Sequence, residues 1–151
     1  MEHIFFVVFL FIASAIFSKV EIEIEGSDGW ASKLPTKRFS PEHFLSRYVF
    51  SGRPATLYHI YILLFILVMS HMPYLFVSPS LIIESRVLSF VILFWCIEDF
   101  LWFAMNPHFG IGKFKGENIW WHEKQWWGFA PRDYFIFIPL GIALYLLSYA
   151  V

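Results

Sequence analysis

The sequence predicts an all-α integral membrane protein of four transmembrane helices, with a short β-strand or hairpin in the long loops on one membrane side. Three observations carry this. Of 151 residues, 58% are hydrophobic, 22% aromatic and only 15% charged, whereas a soluble domain averages about 45–50% apolar and about 25% charged. Apolar runs recur at residues 1–20, 55–77, 81–105 and 134–151. The basic residues between them gather on one side of the topology these runs imply. No Pro/Gly/Ser-rich linker divides the chain, so residues 1–151 read as a single membrane domain.

A helix crosses a hydrocarbon core of about 30 Å with about 20 residues. Residues 55–77 and 81–105 meet that length, and residues 134–151 lie near its lower limit. The first apolar run, residues 4–17, reaches span length only when residues 1–20 are counted together. Ala13-Ser14-Ala15 resembles the small-residue cleavage site of a signal peptide, but Met1-Glu2-His3 lacks a positive n-region. A retained first helix is therefore expected. Four spans put both termini and the tight Ser78-Pro79-Ser80 turn on one side, opposite the long loops 21–54 and 106–133. Lys19, Lys33, Lys37, Arg38, Arg47 and Arg53 then share a side with Lys113, Lys115, Lys124 and Arg132; only Arg86 lies opposite. The positive-inside rule makes the loop side cytoplasmic and the termini external.

Within the loops, Val20-Glu21-Ile22-Glu23-Ile24-Glu25 alternates as a strand does. It needs a partner, and the run Ile111-Gly112-Lys113-Phe114-Lys115 offers lysines to its glutamates. Residues 41–50 suit a short interfacial helix, with Ser40 as N-cap and Pro41 at its first position. Trp120-Trp121 and Trp126-Trp127 read as an interfacial belt. Asn106-Pro107 should end the third helix, because the residue before proline avoids the helical region.

The functional lead is Glu98-Asp99, set in the third span. A carboxylate at membrane depth costs about 2.5–3.5 kcal/mol on insertion scales, so it is usually paired, hydrated or working. Adjacent helix positions diverge by about 100°, and Arg86 is about 18 Å away along the helix, so a partner must come from another segment. His59, flanked by Tyr58 and Tyr61, enters from the loop side at matching depth. Asn106, His108, His122, Glu123, Arg132, Asp133 and Arg53 follow beyond the boundary. The resulting assignment has Glu98, Asp99 and His59 as catalytic groups and Trp102, Asn106, Arg53 and Arg132 as substrate-binding. Glu98, Asp99, His108 and His122 form a ligand set for a divalent Zn, Fe or Mn ion. The plainer readings are an acid–arginine pair with Arg53 or Arg132 that locks helices, a packing role for His59, and a structural His71–Glu84 pair across the turn.

Several classes are excluded. A lone Cys96 permits no internal disulfide or cysteine cluster, and a net charge of −1 offers no basic surplus for nucleic acid. His122-Glu123 lacks the second histidine of a zinc-protease helix, and no Walker loop, dinucleotide fingerprint, nucleophile elbow or inverted repeat occurs. The expectation is a cytoplasmic-leaflet site for a metal ion or polar lipid headgroup, with hydrolytic or transfer chemistry on a lipid-like substrate. Its rival is a non-catalytic accessory subunit or assembly factor of a larger membrane complex, suggested by small size, aromatic-rich surface and an unpaired strand. Membrane lipids and a second copy or a complex are the partners these readings imply.

Overall fold

The computed structural model describes residues 1–122 and 125–150; Glu123, Lys124 and Val151, named above, lie outside the described residues. Four long helices are present among them: α1 Glu2–Glu25, α2 Leu57–Ser70, α3 Leu81–Met105 and α4 Arg132–Leu147. α1 and α3 are long and apolar enough to cross a membrane. α2 has 14 residues and α4 has 16, short of the about 20 that a perpendicular crossing takes.

α3 is the central helix, with α1 and α4 packed along it and α2 touching it more lightly. The polar contacts give the directions. Ser14 Oγ donates to the Phe94 carbonyl at 3.3 Å and Asn106 Nδ2 to the Gly26 carbonyl at 3.0 Å, so α1 and α3 run together. Arg86 Nε donates to Ser148 Oγ at 3.1 Å, and His3 meets Tyr145 at 2.8 Å, so α4 runs against both. The long connections therefore leave from one end of the bundle, as the sequence predicts.

Local signals explain the boundaries. Thr56 caps α2 by accepting from the His59 N–H at 3.2 Å, and Ser80 caps α3 by accepting from Ile83 at 3.2 Å. α3 stops at Asn106 before Pro107, as expected. α2 ends earlier than residue 77, because Pro73 heads a separate 3₁₀ turn, Met72–Leu75. The predicted helix over 41–50 reduces to a π-helical turn, Leu45–Val49, and Ser40 begins a turn to His43 instead of capping it.

The predicted strand over Val20–Glu25 is a correction: these residues are the last turns of α1. Alternation and helical spacing coexist here. Leu10, Ser14, Ser18, Glu21, Ile22 and Glu25 form one buried stripe at three- and four-residue intervals. Helix keeps every backbone group bonded, which a lone strand could not. Gly26, at φ +67°, ends it by donating back to the Ile22 carbonyl at 2.9 Å. The proposed partner, Ile111–Lys113, is a 3₁₀ turn, and Lys113 bonds the His108 carbonyl at 2.7 Å rather than any glutamate. The sheet among the described residues is a two-residue antiparallel pair, β1 Trp126–Trp127 with β2 Ala130–Pro131. The tryptophans are not one belt either: Trp120 and Trp127 are exposed, whereas Trp121 is buried with Trp30 and Trp102.

α4 approaches α3 at Gly141, whose carbonyl accepts from Ser89 Oγ at 2.8 Å. A Cβ there would sit 2.7 Å from Leu93 Cγ and Cδ2. Gly141→Val is expected to destabilise the fold by about 1–3 kcal/mol through overpacking. Thermal unfolding in one detergent checks this, and an unchanged midpoint would contradict the α3–α4 packing.

At the other end, His71 Nε2 lies 3.3 Å from Glu84 and Tyr74 Oη donates to Glu84 at 2.6 Å, confirming the expected turn pair. The Leu67 carbonyl on Nδ1, and then Glu84, hold the His71 imidazolium above its ordinary range; Glu84 also pushes the Tyr74 hydroxyl up to about 12. A raised histidine stabilises fully below its unfolded value of about 6.5 and ceases to do so as pH rises through the folded value. Amide protection over residues 72–76 should therefore fall as pH rises from about 6.5 through the raised folded value. Hydrogen exchange against pH reads this directly, and His71→Gln should flatten the profile.

Candidate functional site: a loop-side cavity

A cavity of about 330 Å³ opens among the loop-side ends of the four helices. α3 forms its long wall through Val91, Ile92, Trp95, Cys96, Glu98, Asp99, Trp102 and Phe103. At 1.5 Å per residue that wall extends about 18 Å. Away from the loops the lining is apolar, with Leu63 of α2, Phe137 of α4 and Val91 and Ile92 of α3. Towards the loops the lining turns polar, through Glu21, Glu25, Arg53, His59, His122, Asp133 and Tyr134. One chamber thus has an oily end and a charged end.

The loop after α1 builds the aromatic roof. Gly29, Trp30 and Ala31 all take positive φ, at +61°, +48° and +50°, a conformation that costs a non-glycine residue roughly 1–3 kcal/mol. The surroundings impose it. Glu25 Oε1 accepts from the Ala31 N–H at 2.6 Å, Arg38 donates to the Ala31 carbonyl, and Trp30 Nε1 donates to the Pro54 carbonyl at 2.8 Å. Trp30 then stacks on the His59 ring at 4.2 Å, with the Arg53 guanidinium over its face at 5.0 Å. At the exposed rim the Lys33 ammonium, bonded to Asp28, holds that carboxyl below its usual range.

The predicted residues divide clearly. Glu98, Asp99, His59, Arg53, Trp102 and His122 all line the cavity. Asp99 Oδ2 accepts from Tyr134 Oη at 2.5 Å, and Oδ1 lies 3.6 Å from His122 Nε2. Arg53 is anchored on Asp133 at 2.9 Å and reaches His122 Nε2 at 3.3 Å. A guanidinium can only donate, so Nε2 of His122 either accepts from Arg53 through its lone pair or, in the other tautomer, donates to Asp99, one excluding the other. His59 is held on both nitrogens, by Thr56 Oγ1 at 2.7 Å and Glu25 at 3.3 Å.

Three predicted residues lie elsewhere. Asn106 is buried but ties the ends of α1 and α3 together, donating to the Gly26 carbonyl at 3.0 Å and accepting from the His108 N–H at 3.0 Å. Arg132 bonds Asp133 at 3.4 Å outside the lining. The Asn106-Pro107 turn carries His108 out to the surface. Glu98, Asp99, His108 and His122 are therefore not assembled as a metal set. Among the described residues no three His, Cys, Asp or Glu side chains are grouped to hold a metal ion.

Sequence reasoning missed Glu21, Glu25, Trp30 and Tyr134. Glu21 and Glu25 carried a readable signal, since with Ser14 and Ser18 they repeat at helical spacing. Glu21 stands within hydrogen-bond reach of Glu98 and accepts from Tyr58 Oη at 3.4 Å.

Buried polar atoms are normally hydrogen-bonded, and each exception asks for an explanation. Four exceptions surround this cavity: Glu98 Oε1, Trp95 Nε1, Trp102 Nε1 and His122 Nδ1 have no partner among the described residues. Glu98, Trp102 and His122 are 3%, 4% and 1% exposed, so bulk water does not serve them. The four comprise two donors, one carboxylate oxygen and a ring nitrogen whose role depends on the tautomer. No family model, curated protein or solved structure matches the chain.

Proposed function

We propose that this chain is a four-span membrane protein whose loop-side cavity takes up the polar end of a lipid-like molecule and supports hydrolytic or transfer chemistry on it. The unpartnered Glu98, Trp95, Trp102 and His122 atoms at one end of an otherwise apolar chamber carry this reading. An amphiphile would satisfy them while its chain lies against Leu63, Val91, Ile92 and Phe137. Four spans are supported by the outward apolar faces of the shorter helices, such as Leu64, Phe65 and Val68 on α2 and Ile136, Leu140 and Leu147 on α4. Exposed patches on that scale belong against lipid or another protein. The lysine and arginine distribution favours cytoplasmic loops.

His122 is the best general base. With Nε2–H turned to Asp99, its Nδ1 lone pair is free to take a proton from a hydroxyl or water that attacks the headgroup. Asp99, steadied by Tyr134, offsets the imidazolium charge, and the proton returns to the leaving oxygen. The test is lipid analysis of purified protein. One amphiphile class should co-purify in stoichiometric amount with wild type and with Asp99→Asn, while turnover of that class drops by about 10²–10⁴-fold in the variant. Lipid content identical to the bulk membrane would overturn the reading. Recovery of a second protein chain with no enriched lipid would favour an accessory subunit.

A further inference from the structure

We infer that the polar end of this ligand is a positively charged nitrogen, an amine or ammonium group with a neighbouring oxygen, carried on an apolar chain. The inference rests on reading the cavity as a headgroup site and names the chemistry that site would recognise. Charge supplies the first argument. Five carboxylates line the cavity, from Glu21, Glu25, Glu98, Asp99 and Asp133, and its one arginine is Arg53. Arg53 is committed to Asp133, and His59 to Glu25. Among the described residues, Glu21, Glu98 and Asp99 then have no ion-pair partner but His122, which lies 3.6 Å from Asp99; Tyr58 and Tyr134 donate to Glu21 and Asp99 without adding charge. A buried excess of carboxylates calls for a cation or for bound protons.

Hydrogen bonding is the second, independent argument. With both carboxyls ionised, Glu21 offers Glu98 no proton, and Glu98 Oε1 is a buried acceptor with no donor among the described residues; an ammonium N–H would supply one. The indole N–H groups of Trp95 and Trp102 need an acceptor, which an adjacent hydroxyl or ester oxygen would provide. Shape is the third. Trp102, Trp121 and Phe103 gather beside the acids, and aromatic faces attract organic cations most strongly where water is excluded. A bare metal ion fits less well, because no three ligating side chains are grouped among the described residues.

The discriminating experiment compares probes of equal chain length in neutral maltoside micelles: decylamine, decan-1-ol and decanoate. Binding is read by tryptophan fluorescence, with micelle-only titrations subtracted. Decylamine should saturate the protein and bind at least about tenfold more tightly than decanol, with decanoate weakest. Glu98→Gln should remove about tenfold of the amine affinity and cost decanol, whose hydroxyl can still donate to the amide oxygen, much less, with Glu21→Gln acting in the same direction. Equal affinity for amine and alcohol, or tighter binding of decanoate, would overturn the inference while leaving the headgroup cavity standing. Failure of all three probes to bind would overturn the cavity reading itself. The wild-type comparison is decisive even if a variant does not fold.

Discussion

Arg53→Met should destabilise the protein by about 3–5 kcal/mol. The side chains of Arg53 and Asp133 are only 14% and 11% exposed, so removing the guanidinium strands a carboxylate in a largely dry site. It also uncovers the Trp30 face and breaks the bond from Arg53 Nε to the Phe50 carbonyl at 3.0 Å. Much of the loss is the penalty of the unpaired Asp133, not the worth of the pair. The double variant Arg53→Met/Asp133→Leu should therefore recover more than half of it. Thermal unfolding of both variants in the same detergent reads the cycle. A double variant as unstable as the single would contradict the account of this pair.

The second large effect is expected at Gly29. Its φ of +61° already costs a side chain about 1–2 kcal/mol. A Cβ there would also fall 2.9 Å from Trp102 Cη2 and closer still to Trp121 Cη2. Both indoles must shift, which adds about 1–3 kcal/mol of overpacking. Gly29→Ala should thus cost about 2–5 kcal/mol and weaken amphiphile binding, because both displaced rings line the cavity. Gly26→Ala reads backbone strain without any overlap: nothing lies within 4 Å of the added Cβ, while φ +67° with ψ −134° is a conformation that essentially only glycine adopts. It should leave amphiphile binding intact. Unchanged stability and binding in Gly29→Ala would show that the indoles do not close over Gly29.

Some of this was legible in the residues alone. The Leu81–Met105 helix follows from an unbroken apolar run between Ser80, whose hydroxyl caps it, and Asn106-Pro107, which cannot continue it. Depth arithmetic along antiparallel segments was enough to put His59 in one cavity with Glu98 and Asp99, and topology put Arg53 and His122 on the same side. Glu21 and Glu25 were misplaced because Glu-Ile-Glu-Ile-Glu satisfies two periods at once; the helical one wins by extending a helix already under way. Trp30 could not be read at all. Its place depends on successive positive φ angles imposed by Glu25, Arg38 and Pro54 from separate parts of the chain. His108 misled for a related reason, since topology gives a loop residue's side of the membrane but not its direction beyond a proline turn.

The most direct test of the headgroup cavity is a crystal structure of the protein grown from a lipidic mesophase. The account predicts elongated density in the chamber, its polar end within hydrogen-bond distance of Glu98 Oε1 and the Trp95 and Trp102 indole nitrogens, its tail against Val91 and Ile92. A collapsed chamber, with Glu98 Oε1 bonded to protein and the indole N–H groups satisfied by neighbouring side chains, would contradict it.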